Sequence, residues 1–519
     1  MNGAEALVRS LHAAGVEVCF ANPGTSEMQF VDALDRTGLM RCVLGLHENA
    51  VTGASDGYAR MAGRPAVSLL HLGAGLANGV ANLHNARRAR TPMLTLVGEH
   101  ASWHLPADPP LASDIRSLAG PVSTWVRTAA RPSSIAADAM AAHAAALSWP
   151  GRQAVLIAPG DAGWDEGGVI APAMAPEGPA PLDDDALDAA AAALRAPGET
   201  LIMLGGSTLA SRAALATAGA IAAATGATLM APTAFGRAER GAGLPRLERL
   251  PYIVDDAVAR LGSFAQVLLV ELAPPVAFFG YPGKPSMLLP EGVEVVVPAE
   301  IDQDGRAALA ALAARLDVAP APPEPASPAA PGPRPAAPAP GRLHIASLTA
   351  ARASALPERA IVIDEGITAG RGLWDATGWG VEHTWLPITG GAIGIGPPLA
   401  LGAAIACPDR PVVAFQADGS AMYTIQALWS QAREGVNVTT VVFANRSYEI
   451  LKLEMARVGA NPGPSALALV DLDRPTIDFA GLARAMGVEA HATDCPAELA
   501  GLVAEAAATP GPTLIEARL

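Results

Sequence analysis

The chain is short of aromatic residues, charge and cysteine. Aromatics make up 4% of its 519 residues and charged residues 16%, against 51% hydrophobic. Ala, Gly, Val and Leu must therefore carry the burial, and a disordered chain is excluded. The net charge is −15, and there is no basic patch of the kind a nucleic-acid binder shows. The nearest cluster, Arg87-Arg88-Ala89-Arg90, reads as an exposed helix end. Cys19, Cys42, Cys407 and Cys495 are scattered and lack CxxC spacing, so neither a disulfide framework nor a zinc site is indicated. The opening MNGAEALVRSL has no signal-peptide pattern. One uncharged stretch, Leu386 to Pro408, is long enough to cross a bilayer. Its glycines and prolines instead predict a glycine-rich loop leading into a buried helix. These absences predict a soluble, cytoplasmic protein with neither nucleic acid nor membrane as partner.

Proline is concentrated in one place. Residues Ala319 to Pro340 hold ten prolines in 22 positions, which neither a helix nor a sheet interior tolerates. The segment reads as a semi-rigid linker, with polyproline geometry of about 3.1 Å per residue. A weaker Pro/Ala/Gly-rich boundary lies near Pro172 to Asp184. The expected organisation is a first domain over 1–170, a central domain over 185–317, a linker over 318–341 and a third domain over 342–519.

Each block alternates short apolar runs with longer helical patterns. The runs include VEVCFAN, AVSLLHL and QAVLIAP, then TLIMLGG and VLLVEL, then AIVIDEG, PVVAFQADG and VTTVVFAN. Strands apolar on both faces signal parallel sheets covered by helices on both sides. The fold class expected is α/β, with three doubly wound parallel-sheet domains. Ligands of such folds sit at the carboxyl ends of strands, so the informative residues should follow each run.

The third block carries such a pair. The strand PVVAF runs into Gln416-Ala417-Asp418-Gly419-Ser420, a helical pattern follows, and the strand VTTVVFA ends at Asn445-Arg446-Ser447. A right-handed crossover makes these strands parallel, so both carboxyl ends share one edge. Asp418 and Asn445, 27 positions apart, then present oxygen ligands side by side, with Ser447 in the same loop. Mg²⁺ takes one or two carboxylates and completes its shell with phosphates and water. Gly419 and Ser420 open the helix, where free N–H groups favour a phosphate. The local chemistry is a metal-bridged diphosphate, weighed against ordinary Asp-Gly turn chemistry.

Asp418-Gly419-Ser420 followed by Asn445 resembles the diphosphate and magnesium motif of thiamine-diphosphate-dependent enzymes. The chain is similar to the decarboxylase and acetolactate-synthase branch over nearly every strand end, and its pattern is nearest to benzoylformate decarboxylase. The resemblance implies a pyrimidine-binding (PYR) first domain with Asn22-Pro23-Gly24-Thr25-Ser26-Glu27 and Glu48, and a diphosphate-binding (PP) third domain. Thiamine diphosphate and Mg²⁺ are the implied cofactors. A flavin, carried by some relatives, has nothing here to support it. Glu48 takes the position of the glutamate that hydrogen-bonds the aminopyrimidine ring. On its own, an acid at the head of HENAVTGASDGYAR reads equally as a helix start. Gly391 aligns with the residue whose carbonyl receives the amino group, and Ile393 with the wedge beneath the cofactor's bend. Gly366, Ile367 and Thr368 are expected to add diphosphate contacts. The family's Gly-Asp-Gly is Ala417-Asp418-Gly419 here, and the extra methyl is expected to crowd the turn. The resemblance also implies a homodimer or homotetramer, with Glu48 and Asp418 of one site coming from different subunits.

On the substrate side, His71 aligns with a proton-handling histidine of benzoylformate decarboxylase, and Thr25 and Ser26 with a carboxylate-contacting loop. The family's second histidine is absent, and Phe278-Phe279-Gly280 stand there. In SYEILKLE, Ile450 and Glu454 share a helix face that in relatives meets substrate. Glu454 replaces a position that is often aromatic, so the expected substrate is a small or polar 2-oxo acid, or an aldehyde used for carboligation. The expected activity is lyase or transferase chemistry on a 2-oxo acid. A 2-hydroxyacyl-CoA lyase and a catalytically impaired cofactor-binding paralogue remain as alternatives.

Overall fold

The computed structural model describes residues 1–319, 334–378 and 380–519. Most of the proline-rich segment, residues 320–333, lies outside them. The first sheet is built from β1 (Val18–Asn22), β2 (Arg41–Leu44), β3 (Val67–Leu70), β4 (Met93–Glu99), β5 (Trp125–Thr128) and β6 (Gln153–Pro159). Its order is β2-β1-β3-β4-β6-β5, and every pairing is parallel. β7 (Thr200–Leu204), β8 (Thr228–Ala231), β9 (Ala238–Arg240), β10 (Glu248–Arg249), β11 (Gln266–Val270) and β12 (Glu294–Ala299) follow. Five of these form a parallel sheet in the order β10-β8-β7-β11-β12. The third sheet uses β13 (Ala360–Glu365), β14 (His383–Pro387), β15 (Val412–Ala417), β16 (Val438–Ala444), β17 (Glu489–Thr493) and β18 (Thr513–Arg518). β9 leaves the central segment and adds an antiparallel edge strand to this third sheet, with Arg240 opposite His383.

The central strands are sealed on both faces: β4, β6, β7, β11 and β16 are buried at every residue. This is why they read as continuous apolar runs rather than alternating ones. The stretch after Leu386 is the expected glycine-rich loop and buried helix, Gly396–Ala406. That helix packs on helix Glu48–Ala62 so closely that side chains are excluded at the crossing. A Cβ on Gly57 would stand 2.1 Å from the Leu399 carbonyl oxygen, and one on Gly402 would stand 1.8 Å from that of Ala54.

Buried cations stitch the segments together. Arg60 pairs with Asp56 and also donates to the carbonyls of Pro387 (2.9 Å) and Gly236 (3.2 Å), joining all three blocks. Removing one partner of so buried a pair leaves an uncompensated charge. Arg240 lies 3.3 Å over the Trp374 ring and holds β9 against the third sheet, a desolvated cation–π contact.

Candidate functional site

β15 and β16 run parallel with Ala417 opposite Phe443, so Asp418 and Asn445 emerge at neighbouring strand tips. The Asp418 carboxylate accepts from the backbone N–H groups of Gly419 (2.8 Å) and Arg446 (2.6 Å). Burial raises its pKa despite these donors; a desolvated carboxylate of this kind favours a cation as partner. The Asn445 side-chain oxygen accepts from Ser447 N–H at 3.0 Å, and Ser447 Oγ donates to the Val470 carbonyl at 3.1 Å. Gly366, Ile367, Thr368, Ile393, Asp418, Gly419, Ser420, Asn445 and Ser447 line one cavity. Among the described residues no cluster of three or more His, Cys, Asp or Glu is placed to hold a metal. One carboxylate plus amide and backbone oxygens is the donor set that suits Mg²⁺ with a phosphate ligand.

Gly419 is required by its neighbour, because a Cβ there would stand 2.3 Å from the Tyr448 ring. Ala417 needs no such exemption. Its backbone is extended (φ −73°, ψ 146°), and the added methyl strains no dihedral. The crowding expected at this turn is not carried by the backbone.

Strain collects at the strand tips. Ile367, Arg446 and Leu72 have positive φ (48°, 58° and 52°) without being glycine. For the β-branched Ile367 this is an outlier of the sort that persists where surroundings over-determine it, often at ligand sites. Gly391, at φ +77°, holds a conformation that glycine adopts without penalty.

A second cavity of about 460 Å³ adjoins the first and shares Ile367, Ile393 and Ile450 with it. Gly391, Tyr252, Phe278, Phe279, Ile388, Leu451 and Glu454 complete much of its wall. The wall is mostly apolar. Glu454 is partly buried on its helix and leaves Lys452 to Glu449, 3.1 Å away. It accepts from Tyr281 Oη (2.5 Å) and Tyr252 Oη (3.4 Å) and pairs with Arg457.

The first sheet presents a different group. Ser26 and His71 come together at its tip around Glu27, which is fully buried. His71 Nδ1 lies 2.8 Å from Glu27 Oε2 and 3.1 Å from Ser26 Oγ, and Ser26 donates to Glu27 Oε1. Gly24 N–H donates to the same carboxylate at 2.8 Å, and a Cβ on Gly98 would fall 1.6 Å from it. Thr25 is exposed in the adjoining turn. Glu48 opens helix Glu48–Ala62, but the helix cap is His47, whose Nδ1 accepts from Asn49 N–H at 3.0 Å. Glu48 is half-buried and accepts from Asn78 Nδ2 at 3.0 Å. Neither Glu48 nor His71 lines the two cavities at the third sheet.

Comparison with known proteins decides the family. Residues 1–115 match the thiamine pyrophosphate enzyme N-terminal TPP binding domain, and residues 375–517 match its C-terminal TPP binding domain. IlvX of Mycobacterium tuberculosis, provisionally named an acetolactate synthase large subunit, is 49% identical over 99% of this chain and 98% of its own. The chain belongs to the thiamine pyrophosphate enzymes. Benzoylformate decarboxylase of Pseudomonas aeruginosa is 28% identical over 97% of this chain and 96% of its own. Among solved structures, the thiamine diphosphate-dependent 4-hydroxybenzoylformate decarboxylase of Rhodococcus jostii RHA1 superposes with a TM-score of 0.81 at 25% identity, covering 100% of this chain and 99% of that one. The protein is thus a thiamine-diphosphate-dependent enzyme of the acetolactate synthase and benzoylformate decarboxylase type.

Two residues of this thiamine pyrophosphate enzyme escaped the sequence reading. Glu27 stood in the quoted loop without a role, since nothing local shows that it meets His71. Glu365 ends β13, is fully buried, and accepts from the N–H groups of Gly394 and Gly396, both at 2.6 Å. It pins the loop that carries Gly391 and Ile393. Burial pushes its carboxyl up to about 7. An acid as the last residue of a buried strand was the available signal. Among the described residues no helix is long and apolar enough to cross a membrane.

Proposed function

We propose that this enzyme uses thiamine diphosphate with Mg²⁺ to break or form the carbon–carbon bond beside the carbonyl of a 2-oxo acid, in a site shared by two copies of the chain. The observation that carries the reading is the pairing of Asp418 and Asn445 at adjacent strand tips, lining one cavity with Gly366–Thr368 and Ile393. Asp418, Asn445 and Ser447 would hold the metal. When bound, the cofactor supplies a carbon nucleophile and an electron sink for carbonyl chemistry. Glu48, released from capping duty, would share a proton with the pyrimidine ring. Glu27 holds His71 through Nδ1, which leaves Nε2 to give or take a proton at the substrate, with the buried acid as the orienting group. Apolar walls exclude water from the reacting centre.

Two features support a site between copies. Glu48 and His71 stand away from the metal-side cavities of their own chain. Both tips also carry exposed apolar side chains, Met28, Leu46 and Trp103 at the first and Tyr423, Leu467 and Leu469 at the third, a pattern that marks interaction surfaces. The apolar cavity shifts the expected substrate from a small or polar oxo acid to one with a bulkier apolar body, in line with the arylglyoxylate decarboxylases it superposes on. Incubation with benzoylformate, pyruvate and glyoxylate in turn, with CO₂ release and product identification, tests this. Preferred decarboxylation of benzoylformate supports the reading. Exclusive condensation of pyruvate to acetolactate would move the enzyme to the carboligase branch, and CO₂ from none of them overturns it.

A further inference from the structure

The central sheet also ends in a buried carboxylate, and nothing above uses it. Its order β10-β8-β7-β11-β12 places the reversal of chain direction between β7 and β11. The crevice at such a switch point is where open α/β sheets take their ligands, with phosphate groups on helix N-termini. Here the crevice is filled from within. Glu271, the residue after β11, is 1% exposed. Its carboxylate accepts from Ser207 N–H (2.5 Å), Ser207 Oγ (2.7 Å), Thr208 N–H (3.4 Å) and Gly305 N–H (2.8 Å). Gly305 opens the helix Gly305–Arg315, and Ser207 follows the loop after β7. The glycines of this cradle are shaped to the carboxylate, not to a ligand. A Cβ on Gly206 would stand 2.3 Å from Glu271 Oε2, and one on Gly305 2.8 Å from its Cγ. Glu271 itself is held at φ +55°, a conformation that costs a non-glycine residue. Arg90, from the first block, donates to the Glu271 carbonyl at 3.2 Å, so the same residue ties two domains.

We propose that Glu271 is a built-in anion: it occupies the place a nucleotide phosphate would take in the central sheet. The flavin weighed from sequence does not fit there, and this chain carries no flavin or other nucleotide at that crevice. Removing the carboxylate exposes a cradle of phosphate chemistry. This inference is independent of the reaction proposed above.

The test uses the full chain, saturated with thiamine diphosphate and Mg²⁺ so that the cofactor site does not compete. Wild type is titrated with ADP and with FAD, and its visible spectrum is recorded. Glu271→Gly relieves the left-handed backbone while leaving four donors without their acceptor, and Glu271→Gln keeps the space filled. Expected are no flavin absorbance and no Tm shift of wild type with either nucleotide. Glu271→Gly should melt lower in phosphate-free buffer and regain about 3 °C or more as inorganic phosphate or pyrophosphate is raised, beyond any wild-type response. Glu271→Gln should show no such regain. Wild type that binds FAD or ADP, or a folded Glu271→Gly that ignores both anions, overturns the proposal. If Glu271→Gly does not fold, the wild-type titrations and Glu271→Gln decide it.

Discussion

The carboxyl ends of the central and third sheets each bear a buried acid, and the two are put to opposite uses. Glu271 has the N–H groups of Ser207, Thr208 and Gly305 and the Ser207 hydroxyl turned onto it, and even a Cβ on Gly206 would meet it. Asp418 receives one backbone N–H on each oxygen and faces a cavity with the oxygens of Asn445 and Ser447. Burial raises both carboxyls, so desolvation alone does not tell them apart. What separates them is the neighbour. Donors ringed around an acid make a closed cap, whereas acceptors gathered beside it make a place for a cation. The same architecture thus supplies a plugged crevice in one sheet and an open one in the next.

Breaking the open tip should give the largest effect. Asp418→Ala removes the carboxylate from the proposed Asp418, Asn445 and Ser447 metal set, and calorimetric titration with thiamine diphosphate in Mg²⁺ should show affinity at least ~100-fold weaker, which is ~2.7 kcal/mol. Glu48→Gln should separate binding from chemistry: affinity within about threefold of wild type, turnover down by about a thousandfold, read from the same titration and from CO₂ release. Glu27→Gln keeps the shape beside His71 but loses the charge. Turnover should fall by about a hundredfold with an altered pH–rate profile, an effect that a purely structural role would not produce.

The pH dependence of stability sharpens the contrast at a third acid. Glu365 titrates at about 7 when folded and at roughly 4.3 when unfolded. Between those values the folded state binds more protons, so this group makes stability fall as pH rises, with no further change above or below. Melting curves from pH 4.5 to 8 should show that the slope is reduced in Glu365→Gln. The smallest effect belongs to Ala417→Gly. Because Ala417 sits at φ −73°, the substitution relieves nothing, and cofactor affinity should change by less than about threefold.

Much of the open tip was legible because its signals are local. Asp418 and Asn445 each follow an apolar run, and one crossover suffices to make them neighbours. The parallel sheets were legible for the same reason, since strands buried on both faces are written as unbroken apolar runs. What sequence did not show depends on distant segments. β9 carries Glu239 and Arg240 and reads as loop, yet it completes the third sheet because Arg240 finds Trp374. β5 and β17 are only partly buried and so lack an apolar run to betray them. The partners of Glu454 were out of local reach, because Tyr252 and Tyr281, which hold it, lie some 200 and 170 residues earlier. The closed crevice was hidden in VLLVELA, where a single acid after a strand says nothing of the glycines that will enclose it.

The central claim is that Asp418 and Asn445 join a divalent cation to a diphosphate. Titrating the wild-type protein with thiamine diphosphate, first with Mg²⁺ and then with the metal chelated away, tests it most directly. The account predicts saturable binding with Mg²⁺ that disappears on chelation and returns when the ion is restored. Equal affinity in both conditions, or no binding in either, would contradict it.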